Sequence, residues 1–211
     1  MRNKKKGTWM MTGGLLLMAA ALFLTCYNYW DERRATASAE GILQEMPHEM
    51  LSPAEPAVPE TEDPGEIEIP DYILNPKMEM PTVEIDGGTY IGVVKIPSLG
   101  VELPVMSEWN DPNLKIAPCR YRGSAYLGDL IIAGHNYRSH FGSLKNVQVD
   151  DEVLFTDVDG NVFRYTVAEI DTVNGSDVEG MQAGDWDLTL FTCTYGGKSR
   201  VTVRCVLTAE E

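Results

Sequence analysis

The chain holds 211 residues, with 17 Lys and Arg against 32 Asp and Glu, a formal net charge of −15 and 44% hydrophobic residues. The length suits one domain with extensions, the acidity argues against a nucleic-acid binder, and the apolar content is too high for a wholly disordered chain. Four Cys in a chain this long are too few for a disulfide scaffold.

The charge is unevenly placed. Residues 1–34 carry six basic and two acidic side chains, a local +4, which leaves −19 on the rest of the chain. Between the cluster Arg2–Lys6 and Asp31 runs an uncharged stretch from Trp9 to Trp30, 22 residues rich in Leu, Ala and Met. A bilayer core needs about 20 helical residues, so residues 9–30 are expected to form a transmembrane anchor. Trp9, Tyr27, Tyr29 and Trp30 stand at its ends, where amphipathic rings favour the interface. The basic cluster predicts a cytoplasmic N-terminus over residues 1–8 and an extracellular remainder at the cell membrane. Ala37-Ser38-Ala39 has the small-x-small pattern of a signal-peptide cleavage site. The charged Asp31-Glu32-Arg33-Arg34 separates it from the apolar run, so the reading taken is an uncleaved anchor.

Residues 31–80 read as an acidic, Pro-rich extracellular spacer. From Ala35 to Met80 lie 7 of the 12 prolines and 11 acidic residues against the single Lys77. Repeated Pro removes backbone donors and disfavours helix at the preceding residue, so little packing is expected here. As a flexible coil of about 46 residues, its ends would average roughly 35–40 Å apart. A short helix over Ser38–Met50 would be interrupted at Pro47.

Residues 81–211 read as a mainly β domain. The expected strands are Thr89–Ile96, Val101–Val105, Asp129–Ala133, Glu152–Thr156, Val162–Asp171, Leu188–Cys193 and Val201–Thr208, rich in Val, Ile, Thr and Tyr. Ser98-Leu99-Gly100, Asp159-Gly160-Asn161 and Tyr195-Gly196-Gly197 separate them as turns, the second being a hairpin signal. Short helices are expected at Asp111–Ile116 and Ser139–Val147. Many short strands suggest a barrel or sandwich.

Three residues stand where strands meet loops. Cys193 ends the apolar strand Leu188–Cys193 and opens a Gly-rich turn. His135 follows Leu130-Ile131-Ile132-Ala133-Gly134. Arg200 opens the strand after the Cys193 loop, so a hairpin would return it beside the thiol. A Cys thiol is a weak nucleophile until a base or cation activates it, and these three types supply nucleophile, general acid/base and anion stabiliser. A Cys in an apolar strand is also a common buried small hydrophobe, so this pattern alone leaves both readings open.

Thr189-Leu190-Phe191-Thr192-Cys193 followed by Arg200-Val201-Thr202-Val203-Arg204 resembles the sortase signature, a TLxTC strand end before an Arg that begins the last strand. Gly128–Asn136 is similar to the family's His-bearing strand, and Tyr121-Arg122-Gly123-Ser124-Ala125 to the segment before it. Ile91–Pro97 with Leu103-Pro104-Val105 is similar to its first hairpin. The resemblance implies an eight-stranded β-barrel with short helices behind an N-terminal transmembrane helix, acting as a cysteine transpeptidase on secreted proteins that bear an LPxTG-like C-terminal sorting signal. Carried over by motif, Cys193 would attack the Thr–Gly carbonyl and His135 would serve as acid and base. Arg200 would donate to the substrate carbonyl or oxyanion, and Thr192 would help position substrate. The amine acceptor would be a peptidoglycan precursor or a pilin Lys.

The departures define what stays open. Asp63-Pro64-Gly65 lacks the aromatic of a pilin-type lid. His135-Asn136-Tyr137 and Phe141-Gly142-Ser143-Leu144 resemble class B members without assigning a class. His140 is expected at the surface or as a helix cap, Cys119 in a loop and Cys205 in the core, with a Cys119–Cys205 disulfide open. Asp150-Asp151-Glu152 reads as a solvated loop, and neither metal nor cofactor is expected. The alternatives are another exported Cys–His peptidase or L,D-transpeptidase, or an inactive anchored β-domain that binds wall polymers.

Overall fold

The computed structural model describes residues 2–46, 69–194 and 196–208. The middle of the expected spacer, Asp63-Pro64-Gly65, His48 and Tyr195 lie outside the described residues. Nine strands form one sheet: β1 (Val83–Ile85), β2 (Gly88–Ile96), β3 (Val101–Met106), β4 (Cys119–Arg122), β5 (Leu130–Gly134), β6 (Glu152–Asp157), β7 (Val162–Asn174), β8 (Leu188–Cys193) and β9 (Ser199–Leu207). Their order is β1-β2-β3-β4-β5-β8-β9-β7-β6, and β6 pairs back onto β2. Strands β2 to β9 therefore close an eight-stranded mixed barrel, with β1 added to β2 as a short flap. Closure removes the free edges that an open sheet would expose.

Alternation along each strand fills the interior. Ile91, Val94, Val105, Leu130, Ile132, Val153, Phe155, Leu188, Leu190 and Val203 join one buried cluster. The hairpin between β6 and β7 is pinned by buried Asp157, which accepts from the Asp159 and Asn161 backbone amides and from the Tyr126 hydroxyl. Two strands escape the sequence pattern, β1 and β4. The second carries two Arg in four residues, and Cys119, expected in a loop, lies in it as a buried residue. The expected Ser139–Val147 helix is a 3-10 segment over Phe141–Asn146, and Asp111–Ile116 shortens to a helical turn over Asp111–Leu114.

The larger difference lies before the barrel. Helix α1 runs without a break from Arg2 to Glu45, about 65 Å at 1.5 Å per residue. Its apolar half, exposed to the surroundings, suits a membrane anchor. Its second half, assigned by composition to the spacer, packs on the barrel through Ala35, Ala39, Ile42 and Met46, all buried. The spacing of four, three and four residues puts them on one helical face. Ile42 and Met46 join Ile85, Tyr90, Val93, Met106, Ala117 and Cys119 in a second cluster outside the barrel. Burying such side chains stabilises docking by about 1.5–3 kcal/mol each. Past the undescribed segment, a helical turn over Asp71–Leu74 brings the chain back, with Tyr72 stacked on Tyr126 at 4.8 Å. Residues 31–46 and 69–80 are thus part of the folded body.

Candidate functional site

Strands β5 and β8 run parallel, with Gly134 opposite Thr192, so His135 and Cys193 leave the barrel at the same end of neighbouring strands. Strands β8 and β9 are antiparallel, and Cys193 pairs directly with Arg200. Side chains of a cross-strand pair share a face. The loop that makes this possible is tight: Thr194 and Ser199 bond each other through backbone and hydroxyl, and Gly196 and Gly197 both adopt positive φ. The Arg200 guanidinium donates to the Gly197 and Ser199 carbonyls at 3.0 and 3.2 Å, which folds it over its own turn beside the thiol.

Cys193 and Arg200 line one wall of a groove of about 260 Å³. Trp109, Leu114, Tyr121, Val178, Met181 and Phe191 make its other surfaces, an apolar lining with the charged Asp111 and Asp177 included. Tyr121 meets both Trp109 and Phe191 edge to face, at 5.7 and 5.4 Å. The segment Val178–Gln182 is held against the barrel by Arg204. This nearly buried guanidinium donates to the Met181 and Gly180 carbonyls at 2.7 and 2.6 Å and to Thr189 Oγ1 at 3.1 Å. Arg204 thus shapes the groove without entering it.

Thr192 is placed differently from its neighbours. It shares the interior face of Leu188 and Leu190, whereas Phe191 and Cys193 face the groove. Its hydroxyl is buried and does not line the groove, so side-chain contact with a ligand there is not what the fold provides.

His135 sits in a loop rather than on a ladder. Gly134 before it lets the Phe141 ring pack underneath, since a Cβ at that position would come within 2.3 Å of the ring. The imidazole stacks on Tyr137 with centroids 3.7 Å apart and planes 19° apart. Burial holds its imidazolium below the ordinary histidine value, Asp31 opposing and Lys115 adding to that shift. At neutral pH it is therefore mainly the neutral base. His140, expected at the surface or as a helix cap, is wholly buried at the N-cap of the Phe141–Asn146 segment without a side-chain capping bond, and burial brings its pKa down to about 4. Cys119 and Cys205 are buried free thiols pushed up to about 12, and no disulfide forms. Burial and low thiolate content make both inert.

Sequence reasoning finds the strand ends but not the aromatic wall. Trp109 lies in a segment without a motif, and the family likeness of Tyr121-Arg122-Gly123-Ser124-Ala125 says nothing of a groove. Exposure of so large an apolar ring as Trp109 becomes a signal only once the surface is known.

The model of the family described as "Sortase domain" matches residues 94–211. A curated sortase A of Bacillus anthracis is 25% identical over 174 residues, 79% of this chain and 76% of that protein. Among solved structures, a sortase D5 transpeptidase of Clostridium perfringens superposes with a TM-score of 0.50 and 26% identity, covering 57% of this chain and 79% of that one. Sortase C1 from Streptococcus agalactiae gives 0.53 and 27%, over 61% of this chain and 72% of its own.

Proposed function

The chain belongs to the sortase family of cysteine transpeptidases, and on that premise we propose that it cleaves an LPxTG-like C-terminal sorting signal of secreted proteins and passes the acyl group to an amine. The observation that carries this reading is the apolar groove that ends at Cys193 and Arg200. An extended peptide with an apolar residue and a Pro can lay its side chains along Trp109, Tyr121, Met181 and Phe191 while its scissile carbonyl reaches the thiol.

The Cys193 sulfur attacks the Thr–Gly carbonyl carbon and forms a C–S bond as its thiol proton passes to neutral His135, which becomes the imidazolium. The C–N bond breaks, and the departing amine takes a proton from the His135 imidazolium. The acceptor amine then attacks the thioester and loses its proton to His135, and the C–S bond breaks as the departing sulfur takes that proton back. Charge gathers on the carbonyl oxygen in both steps, where the Arg200 guanidinium donates. Thr192 supports the strand end from the barrel interior. Held by an apolar helix with a basic cytoplasmic flank, the site faces the outside of the cell membrane. A peptidoglycan precursor or a pilin Lys supplies the acceptor amine.

Incubating the full chain with an LPxTG-type peptide and an amine, read by mass spectrometry, tests this. The transfer product and a peptide thioester on Cys193 are expected, and Cys193→Ala is expected to lose both. Transfer by that variant sinks the assignment.

A further inference from the structure

Helix α1 reaches the His135 loop with two consecutive carboxylates. Asp31 follows directly on the apolar run, and its Oδ2 accepts the Tyr137 hydroxyl while Oδ1 accepts from Arg34 at 3.2 Å. Glu32 Oε1 accepts the Arg138 backbone amide at 2.8 Å. One residue further into the protein, the Tyr137 ring lies flat on His135 and meets buried His140 edge-on at 5.4 Å. His140 in turn lies against the Ala35 backbone. The loop that carries His135 therefore has one side on the barrel and the other on the helix.

The loop's own packing leaves the imidazole underdetermined. His135 Nδ1 is buried without a hydrogen-bond partner among the described residues. A catalytic imidazole usually has its second nitrogen fixed by an acceptor, which sets its tautomer and orientation. Here the ring is oriented by stacking on Tyr137, and Tyr137 is oriented by Asp31.

We propose that Asp31 and Tyr137 are positioning residues for His135, so that the extension of the anchor helix sets the orientation of the imidazole and the stability of its charged form. The proposal rests on the role given above to His135. Asp31 touches neither substrate nor thiol and acts through the Tyr137 ring and through its charge. The other titratable groups around His135 are Lys115 behind the short Asp111–Leu114 helix, Tyr137 and His140 in its own loop, and Cys193 and Arg200 on the neighbouring strands. Of the two carboxylates that reach this loop, Asp31 and Glu32, Asp31 is the one whose charge acts on the imidazole. It holds up the imidazolium, the species that must protonate the leaving amine, while burial and Lys115 press the other way. The physical consequence is that the domain is an efficient catalyst only with its membrane-proximal helix docked.

The test uses the full chain in detergent micelles, with its three histidines followed by NMR titration and His135 identified by the signal lost in His135→Gln. Asp31→Asn is expected to lower the His135 midpoint by roughly half a pH unit or more. With peptide substrate, kcat is expected to fall about tenfold with little change in KM, because the groove is untouched. Tyr137→Phe keeps the stack and breaks the bond to Asp31, so its kcat should fall similarly, and the double variant should lose no more than the worse single one. An unchanged His135 midpoint in Asp31→Asn overturns the proposal whatever the kinetics. If the wild-type chain fails to turn over peptide while the midpoint still moves, the coupling stands and the assigned reaction falls.

Discussion

Cys193 and Arg200 face each other at the end of a ladder that runs in register from Leu188 opposite Cys205 to Cys193 opposite Arg200. His135 instead leaves its strand at Gly134 and depends on a stacked Tyr137, whose hydroxyl is held by a helix residue 106 positions earlier in the chain. The first pair is local in construction: once the hairpin forms, backbone pairing sets Cys193 opposite Arg200, and the Gly197 and Ser199 carbonyls hold the guanidinium. The imidazole has no such ladder and is placed by side-chain contacts between distant segments. The proposed nucleophile on a rigid strand and the proposed acid/base group on a supported loop will respond differently to mutation and pH.

Substitutions can break that contrast from either side. The largest effect is expected on the ladder side: Arg200→Ala should lower kcat for peptide transfer about 10²–10³-fold while leaving the melting temperature nearly unchanged, as expected for a lost oxyanion donor. A loss below tenfold would remove Arg200 from the reaction. On the helix side, Ile42→Ala removes a buried contact between α1 and the barrel. Roughly 2–5 kcal/mol of stability should be lost in chemical denaturation, with activity falling through the His135 loop.

Acid should also unsettle the loop side. The folded-state pKa of His140 lies at about 4 against 6.5 in the unfolded chain, so the unfolded state takes up its proton first as pH falls. Stability tied to this group is complete above pH 6.5 and is lost down to about pH 4, on the order of 3 kcal/mol. Denaturation midpoints at pH 7 and pH 4.5 measure it, and His140→Gln should flatten the difference. The smallest effect is expected in the groove: Met181→Ala should raise KM severalfold, about 1 kcal/mol, with kcat held. An equal fall in kcat would place Met181 closer to the reacting atoms than the groove geometry puts it.

The strands, the barrel class and the residues at the strand mouths were legible because each is written in local pattern. Val, Ile and Thr alternate in β2, β7 and β9, Asp159-Gly160 marks a hairpin, and Leu188–Cys193 ends in a Gly-rich turn. β4 was not legible, since four residues with two Arg and no Val, Ile or Thr make too short a pattern, and its place was set by pairing with β5 and by Cys119 packing beneath α1. The helix extension was hidden by composition. Averaged over Ala35–Met80, the prolines and acids describe a spacer, while Ala35, Ala39, Ile42 and Met46 carry a helical stripe too thin, with two Ala in it, to stand out.

By itself the sequence determined the apolar anchor, the β-rich body, and the candidate trio Cys193, His135 and Arg200, because run length, alternation and motif are local properties of a chain. Tertiary structure alone decided that Thr192 faces inward, that Trp109, Tyr121, Met181 and Phe191 build one groove, and that Asp31 reaches Tyr137. Those outcomes depend on strand register, barrel closure and the docking of one helix, which are contacts between residues far apart in sequence.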